Sequence, residues 1–397
     1  MVDTFTVQQF GRTAMPWEEK SIMEQRQEFV MLAACEGANV RELCRRFRIS
    51  PTTGYKWLKR HEERGKEGLA DSSRRPANSP SRSQANMEAL ILEARRTHPA
   101  WGARKLRRWL QDRGIEGLPA PSTVHAILVR HGCINETASA AHTPWQRFEH
   151  AAPNDLWQMD FKGHFAAGSR RCHPLTVIDD HSRYVVCLGA LDNEGFNDTQ
   201  ACLIRSFERY GLPWRMTMDN GAPWGEPGYY TRFELWLMRL GIKVSHSRPY
   251  HPQTQGKGER FHRTLDVELL QGKGFRDLEH VQQEFDAWLP VYNQERPHEA
   301  LDMRVPATRY APSTRSYPGK LPALQYAQTD AVRKVQGKGE FSYMGNLYKL
   351  GKAFTGQSVA IREIQSDHAR HVYYGSHHVA TIDLREHTIA TAKRQLK

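Results

Sequence analysis

The hydrophobic period of the chain changes at Leu156, and this change most limits the folds open to it. Trp157, Met159 and Phe161 alternate with polar side chains, as in a half-buried strand. Two more short apolar runs follow, and then helical and strand patterns alternate as far as residue 292. The predicted strands are 156–161, 175–179, 184–190, 215–219 and 242–245, and the predicted helices are 197–210, 229–240, one that begins near Glu259, and 278–292. Three strands followed by alternation predict an α/β domain with a mixed five-stranded sheet flanked by helices.

The residues before this domain have helical periods instead. Three helices, 21–36, 40–47 and 51–64, are predicted with a tight break before Ser50-Pro51, which supplies an N-cap and a first-turn proline. This arrangement is typical of a helix-turn-helix domain, assigned to 21–67. A Pro/Ser/Arg-rich linker, 68–83, leads to a second three-helix pattern at 84–133. A small helical bundle with no role in DNA binding is the alternative for these all-α regions.

The charge of the chain favours DNA binding. The 397 residues carry a net charge of +12, and residues 41–66 hold nine Lys or Arg against three Glu. Clustered positive charge points to a polyanionic partner. The predicted DNA contacts are Thr52, Thr53, Tyr55, Lys56 and Arg60 on a major-groove helix, Arg74 and Arg75 in the linker, and Arg104, Lys105, Ser122, Thr123 and His125 in the second domain.

Other composition features narrow the class of protein. No apolar run is long enough to span a membrane, and the first residues lack a basic-then-apolar signal pattern, so a cytoplasmic, DNA-associated protein is expected. The six cysteines show no zinc-binding spacing and are expected to be reduced. From about Ala331, five short strands with Gly and Asn turns predict a small all-β barrel, 331–397, for DNA binding or assembly.

Three carboxylates in the α/β region are predicted to converge. Asp160 is in the first strand, Asp219 ends the fourth, and Glu259 begins a helix after a Pro/Gly-rich loop. In this strand order the first and fourth strands are natural neighbours. Carboxylates that close resist ionisation unless a cation offsets their repulsion, and carboxylates suit Mg²⁺, with Mn²⁺ as a substitute. A two-ion phosphoryl-transfer site is therefore predicted, with Asp160 between the ions and Asp219 and Glu259 on one ion each.

Basic side chains accompany Glu259 on its helix. Lys257, Arg260, His262 and Arg263 are predicted to hold the DNA backbone, although His262 and Arg263 fit a solvated helix face equally well. Asp179 and Asp180 lie near the first strand, but an Asp close to Ser182 and Arg183 is typical of local turn hydrogen bonding. We therefore interpret these two acids as structural.

Several motifs carry a resemblance to a known family. They are Trp157-Gln158-Met159-Asp160, Ile178-Asp179-Asp180-His181-Ser182-Arg183-Tyr184, Asp219-Asn220-Gly221, the segment from His251 to Arg263, and Tyr292-Asn293-Gln294-Glu295-Arg296-Pro297-His298. In this order they resemble the motifs of bacterial insertion-sequence DDE transposases, of the retroviral-integrase superfamily. The resemblance implies an RNase H-like catalytic core over 150–310, Mg²⁺ dependence, and the element's terminal inverted repeats as substrate.

The chain departs from this family in two respects. Between Asp219 and Glu259 lie 39 residues, a few more than is usual, and the surplus is assigned to 223–228. The retroviral zinc module is absent, and helix-turn-helix domains occupy its place. The predicted function is DNA 3′-end cleavage and strand transfer by at least a dimer. The alternatives are an RNase H-like nuclease that only hydrolyses DNA, and a DNA-binding regulator with a silent core.

Overall fold

The computed structural model describes residues 21–71, 83–134, 149–219, 221, 224, 228–246 and 256–395. Arg74, Arg75 and the loop that precedes the Glu259 helix lie outside the described residues. The chain divides into two compact units, Met1–Arg82 and Ser83–Lys397. A search of the described helices finds none with the length and apolar character needed to cross a bilayer. The six cysteines are all unpaired thiols.

The first unit is the predicted three-helix domain. Ser21 and Glu24 form a capping box at the first helix, and Ser50 caps the third, whose first residue is Pro51. Phe29, Cys44 and Trp57 are buried between the helices. The helices are α1 (Ile22–Ala33), α2 (Val40–Arg46) and α3 (Pro51–Arg64), followed by a 3₁₀ turn at Gly65–Leu69. The helix-turn-helix prediction is confirmed.

The second helical domain opens the second unit. Its helices are α4 (Ala85–Thr97), α5 (Ala103–Asp112) and α6 (Pro121–Arg130). Ile91, Leu106, Val124 and Ile127 are fully buried at its centre. Pro121 is the first residue of α6, and Ala120 before it is an N-cap that makes no side-chain hydrogen bond.

The next segment forms the predicted mixed sheet. Its central strand β1 pairs antiparallel with β3 and parallel with β5; β4 extends the sheet beyond β3, and β6 lies parallel to β5. A short strand, β2, pairs with the start of β3 and was not predicted. The strands are β1 (Trp157–Phe161), β2 (Phe165–Ala167), β3 (Arg170–Asp179), β4 (Val185–Leu191), β5 (Arg215–Met218) and β6 (Lys243–His246).

Helices cover both faces of this sheet. They are α7 (Phe196–Tyr210), α8 (Arg232–Arg239), α9 (Gly256–Leu265) and α10 (Leu278–Pro290). On one face, Phe207 and Trp236 of α7 and α8 pack against Trp157. On the other, Phe261 and Phe285 of α9 and α10 share a core with strands β3 and β4. The sheet thereby holds the first turn of α9 close to β1, as the periodicity predicts.

The C-terminal region is all-β, but the prediction of a barrel is wrong. Its strands are β7 (Ala331–Lys334), β8 (Glu340–Tyr343), β9 (Asn346–Lys349), β10 (Ser358–Glu363), β11 (Ala369–Tyr374), β12 (His377–Asp383) and β13 (Thr388–Thr391), followed by α11 (Ala392–Gln395). Within residues 331–395 they form a five-stranded antiparallel sheet, in the order β13-β12-β11-β10-β7, and a β8–β9 hairpin. Leu235 and Met238 of α8 share their apolar core. Because a helix of the α/β domain covers this core, the sheet does not close on itself.

A valine at Gly54 tests the helix-turn-helix packing. A Cβ at this position of α3 would lie 2.4 Å from Cys44 Sγ and 2.9 Å from Phe29 Cζ. We expect Gly54→Val to destabilise residues 22–69 by about 1–3 kcal/mol through overpacking. Hydrogen–deuterium exchange of the full-length chain measures this local stability. Lys59→Val, at an exposed position of α3, controls for the low helix propensity of valine; equal effects of the two changes would contradict the steric explanation.

Candidate active site

The parallel pairing of β1 with β5 brings two of the three predicted acids together. The register pairs Trp157 with Met216 and Gln158 with Thr217. Continued in step, it sets Asp160 level with Asp219, which follows the last residue of β5. Burial, the negative charge of Asp219 and, more weakly, that of Glu259 together raise the pKa of Asp160 to about 6. Asp160 therefore lies within electrostatic reach of both other carboxylates.

Asp219 has an oxygen with no hydrogen-bond partner among the residues that the structure describes. Its Oδ1 is buried and accepts no hydrogen bond, which is uncommon for a buried carboxylate. Burial raises the pKa of Asp219, and a hydrogen bond from the Gly221 backbone and the charge of His246 oppose that rise. An unsatisfied carboxylate oxygen beside a second carboxylate fits a site for a hard divalent cation.

Glu259 lies apart from the two aspartates. It is an exposed side chain in the first turn of α9, as predicted. Within the described parts of the chain, no three His, Cys, Asp or Glu side chains are close enough together to hold one metal ion. The structure thus brings Asp160 and Asp219 together and leaves Glu259 at the edge of the site, so the full triad stays a prediction.

Lys257 has an internal partner. Its Nζ donates to the Asp180 backbone carbonyl over 3.2 Å and forms a close ion pair with the Asp180 carboxylate. Asp180 also accepts hydrogen bonds from the backbone of His150 and the side chain of Gln158. Burial and the Arg183 charge lower the pKa of Lys257 to about 8. This lysine, predicted to bind DNA, joins the start of α9 to the turn after β3.

His262 links the same helix to the strand that carries Asp160. Thr176 Oγ1 on β3 donates to the Asp160 carbonyl over 2.9 Å, so it accepts from His262 Nε2, also at 2.9 Å. Burial and the charge of Lys162 lower the pKa of His262 to about 4, and the ring is neutral near pH 7. The structure therefore does not support a contact between a protonated His262 ring and DNA. Arg260 and Arg263 are exposed on α9.

Asp179 is a turn residue in the structure. It is fully buried, and its carboxylate accepts from the Ser182 backbone at 2.8 Å, the Ser182 hydroxyl at 2.5 Å and the Asn154 backbone at 2.7 Å. Together with the bonds of Asp180, these contacts close the β3–β4 turn, in agreement with our structural interpretation of both acids.

The motif from Tyr292 to His298 holds helices to the sheet. Asn293 is buried, accepts from the Val185 backbone N–H at 2.9 Å and donates to the Val185 carbonyl at 3.0 Å. Arg296 is also buried and pairs with Glu268 at 2.7 Å. Sequence reasoning used this motif as a family signature and missed its structural role. The sequence signal for this structural role was that two polar side chains, Asn293 and Arg296, occur within an apolar helical pattern.

The predicted DNA contacts of the first unit lie mostly at its surface. Thr52, Tyr55 and Lys56 are exposed on α3. Thr53 is tied to the Ser50 hydroxyl, which it meets at 2.8 Å. The charged groups of Lys56 and Arg60 lie 4.7 and 5.3 Å from the centre of the Trp57 ring, in cation–π contact.

The second helical domain is docked on the α/β domain through α5. Trp109 Nε1 and the Arg113 guanidinium both donate to Glu295, at 3.2 and 2.7 Å. Lys105 is half-buried, and burial together with the Arg296 charge lowers its pKa to about 8. It thus faces protein rather than open solvent. The other predicted contacts of this domain, Arg104, Ser122 and His125, are exposed, and Thr123 is half-buried.

The structural role of Asn293 can be tested by truncation. Asn293→Ala leaves the buried Val185 N–H and carbonyl without partners, so we expect a loss of about 1–3 kcal/mol in the free energy of unfolding. Urea denaturation of the full-length chain measures it. Gln294→Ala, at the exposed neighbouring position, should change stability by much less. Equal stabilities of the two variants would contradict a structural role for Asn293.

The burial of Asp160 and the repulsion by Asp219 predict a pH-dependent gain in stability when Asp160 is neutralised. Because the folded pKa of about 6 exceeds the unfolded value, the stability that this group contributes is present below about pH 4 and lost as the pH rises through 6. In EDTA at pH 7.5, Asp160→Asn should therefore raise the free energy of unfolding by about 1–3 kcal/mol. Near pH 4 the gain should vanish. Thermal unfolding measures both, with the exposed Asp367→Asn as control; a variant less stable than wild type at pH 7.5 would contradict the prediction.

Comparison with known families agrees with this layout. Residues 150–252 and 240–306 match families described as integrase core domain, and residues 25–77 and 53–128 match a helix-turn-helix domain and a homeodomain-like domain. Residues 330–390 match the C-terminal domain of IS481 family transposases. The α/β domain, the helical region and the C-terminal sheet each correspond to a separate family match.

Individual relatives are insertion-sequence proteins. The chain is 27% identical over 262 residues to the uncharacterized 39.2 kDa protein of insertion element IS476 from Xanthomonas euvesicatoria, covering 63% of this chain and 71% of that one. It is 25% identical over 273 residues to a putative transposase for IS5376 from Geobacillus stearothermophilus, covering 65% of this chain and 66% of that one. The magnesium-bound catalytic core of HTLV-2 integrase aligns with 41% of this chain and 99% of that core, at 17% identity and a TM-score of 0.32.

The domain matches occur in one order along a single chain: helix-turn-helix, integrase core, transposase C-terminal domain. The alignments with the two insertion-sequence relatives span 262 and 273 residues of this chain. The chain therefore combines regions that match helix-turn-helix domains, an integrase core and a transposase C-terminal domain, and it is similar to proteins of bacterial insertion sequences.

Proposed function

We propose that the protein binds the terminal inverted repeats of its own mobile element, cleaves the DNA at the 3′ ends and joins those ends to target DNA. The observation that carries the proposal is the pairing of β1 with β5, which sets Asp160 level with Asp219 beside the helix of Glu259. The similarity to a putative insertion-sequence transposase supports the choice of substrate.

Asp160, Asp219 and Glu259 are the residues that would hold Mg²⁺, or Mn²⁺ in its place, as a pair of ions. The partnerless Asp219 Oδ1 and the raised pKa of Asp160 fit a cation, which would relieve the repulsion between the two aspartates. When bound, the ions would stabilise charge on the attacking and leaving oxygens of a phosphoryl transfer. Glu259, in the first turn of α9, would complete the ligand set.

Both proposed reactions exchange one P–O bond for another. In the first, the oxygen of water bonds to phosphorus at the element end while the P–O3′ bond breaks, and the departing 3′ oxygen takes up a proton. In the second, that 3′ oxygen bonds to a phosphorus of target DNA, loses its proton, and displaces a 3′-OH there. Arg260 and Arg263, exposed on α9 beside Glu259, would contact the phosphates on either side.

The partners follow from the reaction. The exposed face of α3, with Thr52, Tyr55 and Lys56, would read the inverted repeat, and Arg104, Ser122 and His125 offer further contacts in the second domain. Because two element ends must be held together for joining, the active species is at least a homodimer on DNA.

Substitution of the three acids tests the proposal. Labelled duplexes copied from the DNA on either side of the coding region, where matching inverted ends are expected, serve as substrate with Mg²⁺ and then Mn²⁺. Asp160→Asn, Asp219→Asn and Glu259→Gln should each lower nicking and joining roughly 100-fold or more, as loss of a charge-stabilising group does, with end binding unchanged. Glu279→Gln, at an exposed glutamate of α10, is the matched control.

The outcomes separate the proposal from its rivals. Nicked but never joined products from the wild-type protein would favour a hydrolytic nuclease, and no cleavage in either metal would favour a regulator with a silent core. Full activity in all three variants would overturn the assignment of the triad.

A further inference from the structure

A buried carboxylate on α8 lies between two basic side chains. Glu234 is 1% exposed, and its Oε1 is 2.8 Å from His246 Nε2 and 2.6 Å from Lys393 Nζ. Its Oε2 accepts from the Thr231 backbone at 2.7 Å and closes the capping box at the start of α8. A buried carboxylate with this set of donors is held in one orientation, since each oxygen has a fixed partner.

His246 connects Glu234 to Asp219 at the edge of the candidate active site. It is the last residue of β6, and its Nδ1 is 2.7 Å from the backbone carbonyl oxygen of Asp219. A carbonyl oxygen only accepts, so Nδ1–H is the donor and the other ring nitrogen faces Glu234. The Asp219 main chain is thus fixed at its carbonyl by His246, while its carboxylate accepts from the Gly221 backbone.

Lys393 belongs to the C-terminal region. It lies on α11, which follows the last strand of the C-terminal sheet, and its Nζ also donates to the Tyr229 carbonyl at 2.9 Å. Two residues earlier, Thr391 Oγ1 donates to the Gly228 carbonyl at 2.9 Å. The end of the C-terminal region is therefore bonded to the segment that leads into α8, and Lys393 reaches inward from there to Glu234.

We propose that Lys393, Glu234 and His246 are positioning residues, through which the C-terminal region holds Asp219 in the geometry needed to bind metal. The proposal rests on the proposed function in one respect, the assignment of Asp219 as a metal-binding carboxylate. Its physical basis is a continuous series of contacts, from Lys393 to Glu234, from Glu234 to His246, and from His246 to the Asp219 carbonyl. Outer partners of this kind fix the orientation of the groups that contact a metal.

A purely structural role would give a different result. If these contacts only held the C-terminal sheet on α8, their loss would lower the stability of the metal-free protein and leave its affinity for metal unchanged. A positioning role requires that metal affinity fall in protein that is still folded. Titration of the full-length chain with Mn²⁺, followed by electron paramagnetic resonance at fixed pH, measures this affinity without DNA or turnover.

The variants are Lys393→Met and Lys393→Arg, with Lys338→Met as the control at an exposed lysine of the same region. We expect Lys393→Met to raise the half-saturating Mn²⁺ concentration roughly 10-fold, the effect typical of losing an outer partner. Lys393→Arg retains a donor to Glu234 and should stay near wild type, as should Lys338→Met. Unchanged Mn²⁺ affinity in Lys393→Met would overturn the proposal.

A second pair of variants covers the case in which Lys393→Met does not fold. His246→Ala removes the donor to the Asp219 carbonyl, whereas His246→Asn restores an N–H near the position of Nδ1. Weaker Mn²⁺ binding in the alanine variant, with recovery in the asparagine variant, supports positioning; equal affinities in both contradict it. Wild-type protein that binds no Mn²⁺ would instead overturn the metal assignment in the proposed function.

Discussion

The parallel contact between β1 and β5 is the constraint on which the candidate site depends. These strands are separated along the chain by β3, β4 and α7, and their pairing sets Asp160 level with Asp219. Two half-buried acids at one edge repel each other, and the pKa of Asp160 is raised first by its burial and then by this repulsion. The surrounding contacts offset it: Thr176 holds the Asp160 main chain, and His246 holds that of Asp219.

The family-like motifs divide into two physical classes. Asp179, Asp180, Asn293 and Arg296 have their polar atoms bonded within the protein, and they close a turn or join helices to the sheet. Asp219 instead has a buried oxygen for which the described parts of the chain provide no hydrogen-bond partner. The residue types in a motif do not distinguish these two classes. Their hydrogen-bond partners tell them apart, because a satisfied carboxylate has little capacity left for a ligand.

The sequence was sufficient for the order of strands and helices, since period and end signals are local. Ser50 was expected to cap α3 and does, with Pro51 as the first residue of that helix. The internal partners of Lys257, His262 and Lys105 were missed, because basic residues on a helix have the same pattern whether they face DNA or another domain. The barrel was wrong for a similar reason. Closure depends on what covers the apolar face, and that cover comes from α8, about a hundred residues earlier.

Helix α8 is apolar on opposite sides. Phe233 and Leu237 face the mixed sheet, whereas Leu235 and Met238 face the C-terminal strands. A helix that is apolar on both sides is buried, so α8 belongs to the core of the mixed sheet and to the core of the C-terminal strands. A shortened chain that stops before Ala331 would leave the side of α8 with Leu235 and Met238 uncovered. Such a chain would be prone to self-association through this exposed apolar surface. Loss of the last domain would therefore have to be matched by changes in α8, in the middle of the coding sequence.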